Sequence, residues 1–399
     1  MEHKKSNVDE RFELLALIFC LAERPEYCGV LTDYQKMLNE RFAKFAGHKA
    51  VTFARDLQFG YDAVASFAIH MERAGDGFGL IENRRSLLCG RWNETNVEEF
   101  LPLVNKFYTD TNFTTFFQEH MPVYELLSER YNRQLCDRLN KDWFTAHGLQ
   151  PDRFNPIVTP SNSSGGYGVS ITDWQGNILK VCPTLPDLDD YSNRLDFLVH
   201  ECCHCFSNPK GDVWYQENET FRQQCDDSVD PVRLPSYNNG ATMAVEYITR
   251  ANTILYMVEN ENADIVKLML HEKTQGFPYI AEAYALATNS KPIELPTDLI
   301  KYFLGMDYKI SDEEHSFHIS NEYGDRTVRW RFIDLLGKKI NVENFSPSQV
   351  GDTFGTQTGD VAYVTDGTWT YVGVDIGAAD ASWGEEHRSY SVFLLGADV

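Results

Sequence analysis

The sequence predicts an α+β fold, with a helical N-terminal part over 1–150, a mixed core over 151–305 and a β-rich C-terminal module over 306–399. Three observations predict it. Apolar residues recur at helical spacing through the first 150 positions, short alternating runs replace them after Pro151, and alternation returns from about Ser316. A 399-residue chain with 43% hydrophobic and 13% aromatic residues can bury a sizeable core.

In DERFELLALIFCL the apolar run Leu14–Leu21 follows Asp9, Glu10, Arg11 and Glu13, with no small-residue cleavage site after it. Acidic residues stand where a leader peptide needs a basic flank, so the segment reads as an amphipathic helix. Thr32 is the expected N-cap of a helix carrying Tyr34, Met37, Leu38, Phe42 and Phe45. Tyr61, Val64, Phe67, Ala68 and Met71 repeat the spacing, as do Val97, Phe100, Leu101, Val104 and Phe107. A long run follows from Phe113 to Leu139. These aromatic stripes are core positions rather than a cofactor box.

FNPIVTP, YGVSITD and NILKVCP then read as three short strands, separated by SNSSGG and by a turn at Gln175-Gly176-Asn177. Helical spacing resumes around His200, from Ala241 to Glu259, near Asp264–His271 and through Tyr279–Ala287. RTVRWRFID, KKINVENF and VAYVTDGTWTYVGVDIG are strand-like, and Asp366-Gly367 between alternating runs signals a hairpin.

Lys and Arg total 36 against 59 acidic residues, a formal charge of -23 that repels phosphate backbones, so nucleic acid is not an expected partner. No stretch has the length of a membrane span. Nine cysteines, an odd number scattered without a framework, suit a reducing compartment and a cytoplasmic protein.

The chemistry concentrates in LDFLVHECCHCFSNP, where His200-Glu201-Cys202-Cys203-His204 matches H-E-x-x-H. Residues four apart share a helix face, so both imidazoles can reach one Zn2+ ion at roughly 2.0–2.1 Å. Glu201 lies about 100° round the helix, beside the ion, where it can act on a metal-activated water as general base. Leu195, Phe197, Leu198 and Val199 make the helix apolar just before the pair, and buried imidazoles need partners that a metal supplies. A cysteine-rich structural site is the competing reading. Adjacent Cys202 and Cys203 diverge by about 100°, which does not suit a C-x2–4-C pair, and small thiols pack well as core.

A catalytic zinc needs three protein ligands and an open position. Six residues past His204 stands Lys210, which excludes the metzincin third histidine. Glu217, Glu219, Asp226 and Asp227 fall in a polar stretch that reads as loop. Glu246 instead sits in a helical run among Met243, Val245, Ile248, Ile254, Leu255 and Met257. A carboxylate there needs a buried cation, either the metal or Arg250 one turn on.

HECCH on one helix and Glu246 on a later one resemble gluzincin-type zinc metallopeptidases. More loosely, VDERFELL and YDAVASFAIH resemble an uncharacterised bacterial family that carries the same H-E-x-x-H. The resemblance implies a zincin-like core, with His200, His204 and Glu246 as zinc ligands and Glu201 as catalytic base. It also implies that the strand around Tyr167–Ile171 is an edge strand that aligns a peptide substrate. The chain departs from the family's N-E-x-x-x-D, since Val245 precedes Glu246 and Arg250 stands four on. The oxyanion-stabilising residue has no motif; Tyr247, His271 and Tyr279 are the candidates. His315 and His318 read as a loop pair. The function expected is zinc-dependent peptide-bond hydrolysis, and the alternative is a catalytically silent zinc-site protein serving as a binding or scaffold module.

Overall fold

A computed structural model of the chain describes residues 7–24, 27, 32–57, 63–81, 92–148, 154–161, 169–172, 178–184, 191, 194–230, 234 and 237–296. It also describes the backbone of strands within 309–310, 315–321, 324–334, 361–365, 370–375 and 390–396. The protein is mainly helical with smaller sheets, and it divides into two units, Met1–Cys205 and Phe206–Val399.

The first unit is built round helix α1 (Glu10–Leu21), capped by the Asp9 side chain on the Arg11 N–H. Every residue from Phe12 to Leu21 is buried, so this helix is enclosed on all faces rather than amphipathic. The run Leu14–Leu21 has no polar residue to set aside for solvent, and a helix apolar all round belongs in a core. Around it pack α2 (Asp33–Phe42), α3 (Lys49–Asp56) and α4 (Ala63–Ala68). Thr32 caps α2 in a reciprocal box with Gln35, as the sequence predicts. Trp92 stacks on Phe100, Phe67 packs tilted against both and Phe19 meets them edge-on, and the Trp92 indole donates to the Ala63 carbonyl at 2.9 Å.

A second expectation fails in this half. The helix expected through Met71 stops at Ala68, and Met71 opens a hairpin of β2 (Met71–Ala74) and β3 (Gly77–Leu80). Gly75 turns it at a φ of +59°, which glycine adopts without strain. After α5 (Glu94–Asp110), the long run from Phe113 to Leu139 holds two helices, α6 (Phe113–Glu119) and α7 (Met121–Gln134). Pro122 in the first turn of α7 explains the break, because its ring cannot continue an earlier helix. A short α8 (Lys141–Ala146) closes the helical part.

The three strands expected after Pro151 form as β4 (Phe154–Val158), β5 (Val169–Thr172) and β6 (Ile178–Thr184). With β1 (Asn7–Val8) they make a sheet ordered β1-β4-β6-β5. The first three run parallel, whereas β5 is antiparallel to β6 and lies at one edge. Tyr167, Gly168 and the turn at Gln175-Gly176-Asn177 lie outside the described residues. Helix α9 (Leu195–Glu217) follows this sheet in the chain.

The second unit starts within α9 and continues through α10 (Glu219–Asp227), α11 (Gly240–Glu261), α12 (Ile265–Thr274) and α13 (Ile280–Thr288). Met243, Tyr247, Phe277 and Ile280 centre its core. The Asn252 amide of α11 donates to the Ser207 hydroxyl of α9 at 3.2 Å, and Gly211 lies against the Val245 backbone. Contacts at 207 with 252 and at 211 with 245 mean that α11 runs antiparallel to the end of α9. Further on, β7 (Lys309–Ile310), β8 (His315–Asn321), β9 (Gly324–Asp334), β10 (Val361–Thr365), β11 (Thr370–Asp375) and β12 (Tyr390–Gly396) pair antiparallel as one sheet. His315 and His318 therefore lie on a strand rather than in a loop. Asp366-Gly367 and KKINVENF lie outside the described residues, although Thr365 pairs with Thr370 across that hairpin. Among the described residues no helix is long and apolar enough to cross a membrane.

A Cβ built on Gly211 would stand 2.8 Å from the Val245 Cα, closer than packed atoms approach. Backbone cannot swing aside as a side chain tip can. Gly211→Ala is expected to destabilise the protein by about 1–3 kcal/mol, measured by thermal or urea unfolding. An unchanged midpoint would mean that α9 and α11 do not pack this closely.

Candidate metal centre

Helix α9 sorts its residues by face. Leu195, Leu198, Val199, Cys202 and Cys203 are buried, whereas His200 and His204 are only half-buried. Asp196 and Asn208, one turn before and one turn after the pair, are exposed. The imidazoles thus line the more accessible stripe of the first half of the helix, set there by the 3.6-residue period. Cys202 and Cys203 are fully buried.

The two rings stand nearly perpendicular, at 88°, with Nε2 of His200 3.1 Å from Nε2 of His204. Nitrogens bound tetrahedrally to one ion at roughly 2.0–2.1 Å are about 3.3 Å apart by trigonometry. The observed separation is close to that. Holding an ion there requires both Nε2 lone pairs, with each ring proton on Nδ1. Glu201 is buried, at 6% exposure, and its carboxylate lies with the two imidazoles in a group whose ligand atoms are all within 4.8 Å of one another. The group can hold a metal ion. Among the described residues it is the one group of three such side chains.

Glu246 belongs to the second unit. It is buried on α11, next to the Val245 that packs against Gly211, and Gly211 comes seven residues after His204 in the sequence. Its carboxylate faces Arg250, with Oε2 3.6 Å from the guanidinium Nε. Arg250 also donates to Glu272 on α12 at 2.5 Å, and its guanidinium lies 4.0 Å from the Phe277 ring centroid. Burial opposes the charge of Arg250, but Glu272, Tyr237 and Glu246 outweigh it and raise its pKa. The sequence pattern offers Arg250 as a partner one turn on. It gives no sign of Glu272 or Phe277, which arrive from separate elements.

The other acidic candidates are not in a loop. Glu217 ends α9, and Glu219, Asp226 and Asp227 lie on α10, a helix capped by the Asn218 side chain. Phe221 and Cys225, one turn apart, anchor α10 in the core and explain why this polar stretch is ordered. Asp226 accepts from the Tyr215 hydroxyl at 2.7 Å, and Asp227 accepts from the Gln223 amide at 2.7 Å. Of the oxyanion candidates, Tyr247 is fully buried, shares a 2.7 Å hydrogen bond with Ser228 and accepts from the Tyr279 N–H at 3.3 Å. Burial raises its pKa. His271 lies in the last turn of α12, and Tyr279 directly precedes α13.

No family model matches the chain, and no curated protein or solved structure matches it either.

His200→Ala and His204→Ala are each expected to abolish stoichiometric metal binding while the helical circular dichroism is kept, because the half-buried rings carry little of the packing. Elemental analysis of the purified variants checks this. Retention of metal by both variants would place the ion elsewhere.

Proposed function

We propose that the protein is a zinc-dependent peptidase of the gluzincin type, acting in the cytoplasm on peptide or protein substrates. The observation that carries the proposal is the His200–His204 pair, 3.1 Å apart at Nε2, with a buried carboxylate beside it. Imidazole suits zinc among the divalent ions, and two imidazoles with a neighbouring glutamate make a donor set that suits hydrolysis. When bound, zinc supplies a Lewis acid that polarises a carbonyl and acidifies water.

The chain's own residues supply the rest. His200 and His204 fix the ion on the accessible stripe of α9. Glu201, held in a largely dry environment, takes the proton from the attacking water and delivers it to the leaving amine. Strand β5, antiparallel to β6, is at the edge of its sheet among the described residues, where an extended peptide could pair with it.

In this reading Glu246 completes the ligand set. Its ion pair with Arg250 supports a competing role, in which Glu246 serves only the core of the second unit. A silent zinc-site protein acting as a binding module remains the second reading, because the same ligands would hold metal without turnover.

Glu201→Gln is expected to keep zinc and to lower peptide hydrolysis by about 10²–10⁴-fold. Zinc content by elemental analysis and cleavage of a peptide library by mass spectrometry give the two readouts. Loss of zinc would make Glu201 a ligand, and absence of any chelator-sensitive cleavage by the zinc-loaded parent would favour the silent module.

Zinc affinity of Glu246→Gln beside Glu219→Gln tests the third ligand. The proposal expects at least a tenfold loss for Glu246→Gln and none for Glu219→Gln. Unchanged affinity in Glu246→Gln, with Arg250→Ala destabilising the fold to a similar degree, would leave Glu246 as an ion-pair residue.

A further inference from the structure

Glu13 is the most deeply buried carboxyl among the described residues, at 1% exposure in the middle of α1. The Tyr34 hydroxyl on α2 lies 3.1 Å from its Oε2, and the Ser161 N–H donates to its Oε1 at 3.4 Å. Tyr34 and Tyr124, on α2 and α7, share a hydrogen bond of 2.5 Å between their hydroxyls. Tyr124 in turn lines a cavity of about 550 Å³ beside β1, with Ser128, Asn132 and Arg133 also in its wall. The proposed chemistry of α9 uses none of these groups.

We propose that Glu13, Tyr34 and Tyr124 form a buried proton relay in which Glu13 stores a proton at neutral pH and exchanges it with solvent through the cavity at Tyr124. The geometry supplies the reason. A carboxylate on a helix enclosed on every face has lost its hydration, and among the described residues it receives neutral donors from Tyr34 and Ser161 rather than a cation. Two such hydrogen bonds offset only part of the cost of the charge. Taking up a proton removes the charge. In the protonated form Glu13 donates to Tyr34, Tyr34 donates to Tyr124, and the Tyr124 proton points onward. In the ionised form each hydroxyl reverses, and Tyr34 donates to Glu13.

The groups around Glu13 agree. Burial raises its pKa to about 8, while the hydrogen bonds from Ser161 and Tyr34 pull it down and Asp9 adds a small rise. Asp9 shares its charge with Arg11 at 2.6 Å. Helices α3 and α4 present Ala50, Val51, Ala54, Val64 and Phe67 to the core, and Arg55 of α3 reaches the Leu21 carbonyl at the far end of α1. Burial likewise raises the Tyr34 and Tyr124 pKa values, with Glu13 adding to both, so the tyrosines stay protonated.

The direction of the pH effect follows. A folded pKa of about 8 against an ordinary 4.5 stabilises the fold fully below 4.5. That stabilisation declines as pH rises and is gone above about 8. Thermal unfolding of the full chain at a series of pH values from about 5 to about 9, for the parent and Glu13→Gln, reads it out. The parent midpoint should fall across this window more steeply than that of Glu13→Gln, which keeps a neutral side chain throughout. A carboxyl carbon-13 NMR titration of the parent should show one glutamate ionising near pH 8, absent in Glu13→Gln. In Tyr34→Phe, which loses a donor to the carboxylate, that midpoint should move upward. Should Glu13→Gln not fold, the parent titration and Tyr34→Phe still decide. Parallel stability curves for parent and Glu13→Gln, or a parent in which every glutamate has ionised by about pH 6, would overturn the relay, as would an unmoved midpoint in Tyr34→Phe.

Discussion

The 3.6-residue period of one helix organises the candidate chemistry. On α9 it places Leu198, Val199, Cys202 and Cys203 inward and leaves His200 and His204 on the stripe that solvent reaches. Two imidazoles one turn apart need no loop to bring them together, so the 3.1 Å approach of their Nε2 atoms comes from backbone geometry and ring rotation alone. Glu201 is fixed by the same regularity, next in the chain to His200 and turned into drier surroundings. A donor set on a single rigid element tolerates change elsewhere in the protein better than one assembled from loops.

Much of this is legible in the sequence because it is local. H-E-x-x-H states the spacing of the pair, Thr32 states the start of α2, and the three short runs after Pro151 state β4, β5 and β6. What escapes depends on contacts between distant residues. The leading carboxyls make α1 look amphipathic, yet three other helices enclose it and bury even Glu13. ETFRQQCDD reads as loop because most of its residues are polar, and only Phe221 with Cys225 shows the helical seam that holds it. Composition outweighed period there, and two anchors one turn apart suffice when an asparagine caps the start.

Glu219, Asp226 and Asp227 stand on a helix just as Glu246 does. What distinguishes Glu246 is burial, since Glu219, Asp226 and Asp227 are exposed and hydrated while Glu246 is not. Burial demands a compensating charge without naming it. Arg250 answers that demand at 3.6 Å, but Arg250 is itself bound more closely to Glu272 at 2.5 Å. Arg250 therefore answers to two carboxylates on two helices and ties α11 to α12 through one guanidinium.

Glu13, Glu201 and Glu246 are the buried carboxyls among the described residues, and the same cost meets a different answer in each. An ionised carboxylate away from water must gain a proton, a cation or a metal field, or it destabilises the fold by several kcal/mol. Among the described residues Glu13 has a tyrosine hydroxyl and an amide around it and no facing guanidinium, so a proton is the economical answer. Glu246 has Arg250 one turn along its own helix. Glu201 lies beside two imidazole nitrogens, which are themselves poor counter-charges when neutral and strong ones only when protonated or bound to an ion. At 3.1 Å two neutral rings of opposite tautomer share an N–H···N hydrogen bond, whereas a divalent ion would need both nitrogens as acceptors and would set its charge beside Glu201, so ion binding and the ring-to-ring bond are alternatives for the same pair of nitrogens.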